Sequence, residues 1–152
     1  MPQSLARVLI HVVYSTKDRR PWLVDRELCD RLSAYMATIL RNNVDSPAVI
    51  INGYEDHVHI LCQLSRKYSI ADLVQESKTE TSKWMKQQSP ATRDFTWQSG
   101  YGAFSVSESN VPVVKRYLAD QVEHHRRMSF QDEFRTLCRR HGIELDERYV
   151  WD

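Results

Sequence analysis

One short stretch, Glu55-Asp56-His57-Val58-His59-Ile60-Leu61-Cys62, limits what this chain can fold into more than any other. Following a tight connection and running into an apolar stretch, it reads as a β-strand, which alternates its side chains between two faces. His57 and His59 therefore project one way, while Val58, Ile60, Cys62 and Leu64 make an apolar row on the other. A continuous apolar row needs helices packed against it. The histidine face is expected to stay open or to be covered by the C-terminal tail, within reach of a ligand. Two imidazoles at this spacing can share a metal ion, although a strand with two polar residues on its exposed face has the same pattern.

The rest of the chain supplies partners for that strand. Val8 to Thr16 is β-branched and aromatic and reads as a first strand. From Asp25 to about Asn42, Leu28, Leu32, Tyr35, Met36, Ile39 and Leu40 recur at helical spacing. Pro47 to Asn52 forms a second strand, joined by a tight turn to the histidine strand, His57 to Leu64. Ser69 and Asp72 form a capping box for a helix reaching about Gln88. Ser89 to Gly100 is a loop, and Tyr101 to Ser107 a fourth strand. Asn110 caps a helix with Pro112 in its first turn, running through Val114, Leu118, Val122 and His125 with those three aliphatic residues packed inward. Ser129 and Asp132 start a last helix with a stripe of Phe130, Phe134, Leu137 and Cys138, stopped near Gly142. The order is β-α-β-β-α-β followed by two helices. This is an α+β fold of the split βαβ type, with an antiparallel sheet and the first two helices on one face.

Length and composition set further bounds. The 152 residues fit one domain spanning 1–152, with 41% hydrophobic and 27% charged residues. Apolar runs are too short to span a membrane, and the N-terminus lacks the pattern of a signal peptide. The three cysteines, Cys29, Cys62 and Cys138, are far apart, as expected of buried thiols in a reducing, cytoplasmic setting. A net charge of +1 excludes binding to polyanions through bulk charge. Local clusters remain: Lys17, Arg19 and Arg20 in one, and Lys115, Arg116, Arg126 and Arg127 in a basic C-terminal segment. These suit either DNA phosphates or a solvated helix face. Trp22, Trp97 and Trp151 are candidates for base stacking or for the core. Paired His-x-Ser/Thr motifs are absent, which removes one phosphoesterase class.

A second group of residues points to chemistry. Tyr117 and Gln121 are four apart and share one side of the predicted helix. A tyrosine hydroxyl with a pKa of about 10 is a weak nucleophile that needs a strong electrophile, such as a phosphodiester held by a metal ion. Gln121 offers a neutral oxygen to complete a His57–His59–Gln121 face. Mg²⁺ or Mn²⁺ fits such a site, and the donors do not exclude Zn²⁺ or Ni²⁺. Taken alone, a tyrosine such as Tyr117 is more often an amphipathic packing residue at a helix edge. Asp56 and Glu55 either orient an imidazole or cap the turn. His124 and His125 read as surface residues with one side against the core, or as supports of the metal ligands.

Together, His57-Val58-His59 and Tyr117-Leu118-Ala119-Asp120-Gln121 resemble the single-tyrosine His-hydrophobe-His (HUH) transposases of bacterial insertion sequences, the IS200-like group. His11-Val12-Val13-Tyr14-Ser15-Thr16-Lys17-Asp18-Arg19 is similar to their first strand. The stretch from Trp97 to Ser107, with Gln121-Val122-Glu123-His124-His125-Arg126, resembles a subgroup near the REP-associated tyrosine transposases. The resemblance extends from Val8 to the C-terminus and implies an RRM-like, ferredoxin-like sheet. It also implies metal-dependent cleavage and rejoining of single-stranded DNA, with Tyr117 as nucleophile and His57, His59 and Gln121 as ligands. A 5′-phosphotyrosine intermediate, stem-loop DNA as partner and a homodimer belong to the same implication. The competing reading is a non-catalytic, domesticated nucleic-acid binder on the same sheet. It lacks the aromatic pair on the sheet used for base stacking in RNA recognition.

Overall fold

The computed structural model describes residues 3–151. Its elements are β1 (Leu9–Ser15), α1 (Arg26–Val44), β2 (Ala48–Tyr54), β3 (His57–Gln63), α2 (Ile70–Lys86), β4 (Gly102–Val106), α3 (Val111–Ala119), α4 (Gln121–His125) and α5 (Phe130–Arg140). The strands form one antiparallel sheet in the order β2-β3-β1-β4. This is the split βαβ topology expected from the pattern. β2 and β3 are joined by the two-residue turn Glu55-Asp56, in which Glu55 adopts a φ of 34°.

Strand alternation sorts the side chains into two cores. Ile10, Val12 and Tyr14 of β1 and Val58, Ile60 and Cys62 of β3 face α1 and α2, where Leu32, Met36, Leu40 and Leu73 complete the larger core. Local signals set both helices. The Asp25 carboxylate accepts from the amides of Glu27 and Leu28 at 3.0 and 3.4 Å, and Ser69 and Asp72 form the expected reciprocal capping box. Trp97 belongs to this core, edge-on to Tyr14 and donating to Thr81 Oγ1 at 3.0 Å. It is therefore closed to base stacking. Trp22 and Trp151 are half-buried, each beneath an arginine guanidinium: Arg20 for Trp22, and Arg19 and Arg135 for Trp151.

The opposite sheet face is covered. Val13 and Phe104 pack against Phe130, Phe134, Leu137 and Cys138, the predicted stripe of α5. The α5 amide of Asp132 is capped by Ser129, and Gly142, at a φ of 67°, follows the helix as its stop.

The expected single helix from Asn110 to His125 is instead two. It breaks at Asp120, between α3 and α4. No proline or glycine causes this. Asn52 on β2 donates to the carbonyl of Leu118 at 2.8 Å and to that of Ala119 at 3.5 Å, taking acceptors that a continuing helix would have used. The break re-aims α4, so Leu118 is buried as expected but Val122 is 41% exposed. Asn110 precedes α3 without a side-chain cap bond, within a short 3-10 turn.

Gly102 marks where β4 touches α5, because a Cβ there would lie 2.6 Å from Phe134 Cε2. Phe134 is wedged against Phe104, Phe130 and Trp151, so its ring has little freedom to yield. Gly102→Ala is expected to lower stability by about 1–3 kcal/mol, measured by denaturant unfolding, and to speed amide exchange in α5 more than in α1 or α2.

Candidate active site

His57 and His59 emerge on the face of β3 opposite the larger core, as the alternation requires. They are not open to solvent: both are 0% exposed. The Phe130 ring stacks on His57 with centroids 4.5 Å apart. A ring face against a ring is a good apolar seal, so α5 closes what the strand pattern alone leaves open.

Each imidazole is held by the nitrogen that faces away from the centre. His57 Nδ1 lies 2.7 Å from Asp56 Oδ1, His125 Nδ1 lies 2.8 Å from the Met128 carbonyl, and His59 Nδ1 lies 2.8 Å from His11 Nε2. The three Nε2 atoms converge on oxygens. His59 Nε2 is 2.8 Å and His57 Nε2 3.3 Å from Glu133 Oε1. His125 Nε2 is 3.4 Å from Glu133 Oε2 and 3.0 Å from Gln121 Oε1, which is also 3.3 Å from His57 Nε2. The ligand atoms of His57, His59, His125 and Glu133 all lie within 4.8 Å of one another, so the group could hold a metal ion.

Tyr117 reaches the same carboxylate from α3. Its hydroxyl donates to Glu133 Oε2 and lies 3.1 Å from His124 Nε2. Gln121 stays one turn from Tyr117 across the helix break, its Nε2 donating to the Tyr117 carbonyl at 3.4 Å. The break thus preserves the pairing of the two side chains. Tyr117 is half-buried and borders an open pocket of 460 Å³ with Asp120, Glu123, His124, Arg127 and Met128.

Electrostatics follow from a carboxylate buried among imidazoles. Burial opposes ionisation of Glu133, but His59 and hydrogen bonds from His125, His57 and His59 outweigh it and hold the carboxyl far below its usual range. Burial likewise opposes protonation of His57, yet Asp56 and Glu133 raise it to about 9. In His59, burial wins over Glu133 and the pKa falls. His11, buried beside His59, drops to about 3. Burial and the neighbouring Glu133 charge push the Tyr117 hydroxyl upward.

The residues singled out by sequence thus divide into two groups. His57, His59, Tyr117 and Gln121 meet in one site, and Asp56 orients His57. His125, open in sequence between a surface residue and a support of the metal ligands, has a side chain only 3% exposed and faces the centre, with its ring stacked on Tyr54. His124 lies at the tyrosine with its side chain 25% exposed. Glu133 and His11 carried no local signal: one is a glutamate in an amphipathic helix and the other a histidine in an apolar strand. Of the basic residues, Lys115, Arg116 and Arg127 are exposed, Arg127 on the pocket that Tyr117 borders, while Arg126 pairs with Glu123 at 3.1 Å. Lys17 and Arg20 are exposed at the end of β1, and Arg19 donates to the Trp151 carbonyl at 3.0 Å.

A family profile described as "Transposase IS200 like" matches residues 4–121, most of the chain. The chain belongs to the IS200-like transposase family. The match runs from the residues before β1 to Gln121, so it includes the histidine strand and the Tyr117 helix but not His125 or Glu133. A crystal structure assigned as a transposase from Deinococcus radiodurans R1 is similar at a TM-score of 0.60 and 24% identity, covering 78% of this chain and 93% of the other. A REP-associated tyrosine transposase bound to a REP hairpin is similar at a TM-score of 0.55 and 10% identity, covering 80% of this chain and 72% of the other. At these identities the two structures speak for the fold. No curated sequence matches. Among the described residues, no helix is long and apolar enough to cross a membrane.

Metal ligands held at the far nitrogen depend on that second contact. Were this group to hold a divalent ion, Asp56→Asn would weaken its binding by about 10- to 100-fold, measured by titration calorimetry, and leave the circular dichroism spectrum unchanged.

Proposed function

We propose that this transposase cleaves and rejoins single-stranded DNA at a stem-loop through Tyr117, with His57, His59 and Gln121 holding a divalent metal ion. One observation carries the reading: the Tyr117 hydroxyl and the Nε2 atoms of His57 and His59 meet on the two oxygens of a single carboxylate, Glu133. Nucleophile and ligand set are therefore one site.

The donors suit a metal. His57 Nδ1 and His125 Nδ1 already face acceptors, so in their neutral forms these rings turn a lone pair, not a proton, toward the oxygens of Gln121 and Glu133. Lone pairs facing lone pairs repel unless a proton or a cation lies between them. A divalent ion bound there would polarise the scissile phosphate and offset its charge. Of the two ions expected from sequence, Mn²⁺ accepts imidazole nitrogen more readily than Mg²⁺.

The chain's own residues perform the transfer. Tyr117 oxygen attacks phosphorus, the Tyr–O–P bond forms, the bond to the 3′ oxygen breaks, and the 5′ end stays on the enzyme. The hydroxyl proton has two acceptors in reach, Glu133 Oε2 and His124 Nε2. Burial keeps His124 below its usual pKa and thus ready to accept. The departing oxygen takes up a proton to become a free 3′-hydroxyl, and a later 3′-hydroxyl attacks the phosphotyrosine. Lys115, Arg116 and Arg127, with Lys17, Arg19, Arg20 and Arg126 as further candidates, contact backbone phosphates. Within one chain, Tyr117 already reaches the histidines, which favours action in cis. The homodimer rests on the family resemblance alone.

Stem-loop DNA with a single-stranded flank, incubated with Mn²⁺ or Mg²⁺, is expected to yield a covalent protein–DNA adduct. Tyr117→Phe should remove the adduct completely. His57→Ala and His59→Ala should lower cleavage by at least about 100-fold, since a lost ligand costs no less than a lost ligand support. Normal hairpin binding with no adduct on any of a panel of stem-loops would favour the non-catalytic binder instead.

A further inference from the structure

The ligand set implied by the family resemblance ends at Gln121, yet two more donors enter the same space from beyond it. We propose that His125 and Glu133 are metal ligands in their own right, and that Glu133 joins the metal through Oε1 to the nucleophile Tyr117 through Oε2. The site is then a three-imidazole, one-carboxylate centre to which Gln121 adds its neutral oxygen. This deepens the transposase reading and rests on it for the role of Tyr117, but not for the metal itself.

Three features of the site point this way. The first is spacing. Metal ligands about 2.1 Å from an ion lie roughly 3.0 to 3.4 Å apart in octahedral or tetrahedral arrangements. His57 Nε2 lies 3.3 Å from Glu133 Oε1, His57 and His125 Nε2 lie 3.3 and 3.0 Å from Gln121 Oε1, and His59 Nε2 is closer, 2.8 Å from Glu133 Oε1. The second is orientation. His125 has the same support as His57, with Nδ1 fixed by an oxygen, here the Met128 carbonyl, and Nε2 turned inward. Metal-binding histidines show this double contact. The third is burial. Glu133 is 1% exposed, and a carboxylate there must be neutralised by what surrounds it. Its surroundings are imidazoles and one phenol, and among the described residues no lysine or arginine pairs with it.

Two consequences distinguish this centre from a His-His-Gln face. Nitrogen-rich donors favour Mn²⁺, Co²⁺ and Zn²⁺ over Mg²⁺. In addition, the ligands now come from β3, α4 and α5, so the ion ties the C-terminal helix to the sheet. Loading the site orders α5, and through Oε2 it places the tyrosine.

The test uses the full-length protein stripped of metal and then titrated. With ¹⁵N-histidine labelling and Zn²⁺, the Nε2 resonances of three histidines, His57, His59 and His125, should shift on loading. A shift in only two would overturn the assignment of His125. Calorimetry with Mn²⁺ and Mg²⁺ should give at least about 10-fold tighter Mn²⁺ binding, and Glu133→Gln and His125→Gln should each weaken Mn²⁺ binding by at least about 10-fold. Equal affinity for the two ions, or unchanged Mn²⁺ affinity and an unchanged Co²⁺ absorption spectrum in Glu133→Gln, would refute the proposal. If Glu133→Gln does not fold, hydrogen exchange on the wild type decides the matter. Metal should slow exchange in α5 as much as in β3, and slowing confined to β3 counts against Glu133. Every readout is a binding measurement, so failure to cleave DNA would sink the catalytic reading and leave this one standing.

Discussion

A carboxylate sealed inside a protein must be matched by charge or hydrogen-bond donors, and the second face of this sheet is organised around one such group. Glu133 is held by His57 and His59 from β3, His124 and His125 from α4, and Tyr117 from α3. Removing any partner of a buried charge costs more than the contact itself contributes, because the remaining charge is left uncompensated. This makes α5 a structural part of the site and not a lid laid over it. The apolar stripe of α5 brings the helix to the sheet, and the carboxylate specifies where it stops.

The same arrangement explains why polar side chains occupy the middle of a sheet. His11 on β1 is buried and kept neutral, and it supports His59 from behind. Asp56, in the turn, does the same for His57. Asn52 on β2 takes the carbonyls that end α3, and the redirected α4 carries Gln121 and His125 inward. The strands on either side of the histidine strand thus contribute His11 and Asn52 to the support of the site.

Much of this was legible from the amino-acid order. Period-2 alternation in β3 places the two histidines together and away from Val58, Ile60 and Cys62. The caps at Ser69 and Ser129 mark helix starts because capping is local chemistry within one turn of chain. Tyr117 and Gln121 pair at i, i+4 and stay paired. Less legible was the helix break, because its cause, Asn52, lies 66 residues from the Leu118 carbonyl it binds. The spacing accordingly places Val122 in the core, where the fold leaves it 41% exposed, and leaves His125 open between the surface and the site.

Sequence alone thus determined the strand order, the larger core, the face on which the histidines emerge and the tyrosine with its neighbouring glutamine, all of which follow from periodicity and local capping. Only the tertiary structure decided that the histidine face is buried, that His125 turns toward it and His11 stands behind it, and that Glu133 is its centre. The reason is physical. A glutamate in the amphipathic helix from Phe130 to Arg140 looks like any solvated charge until the fold shows which face it meets, and burial arises from contacts between segments far apart in the chain.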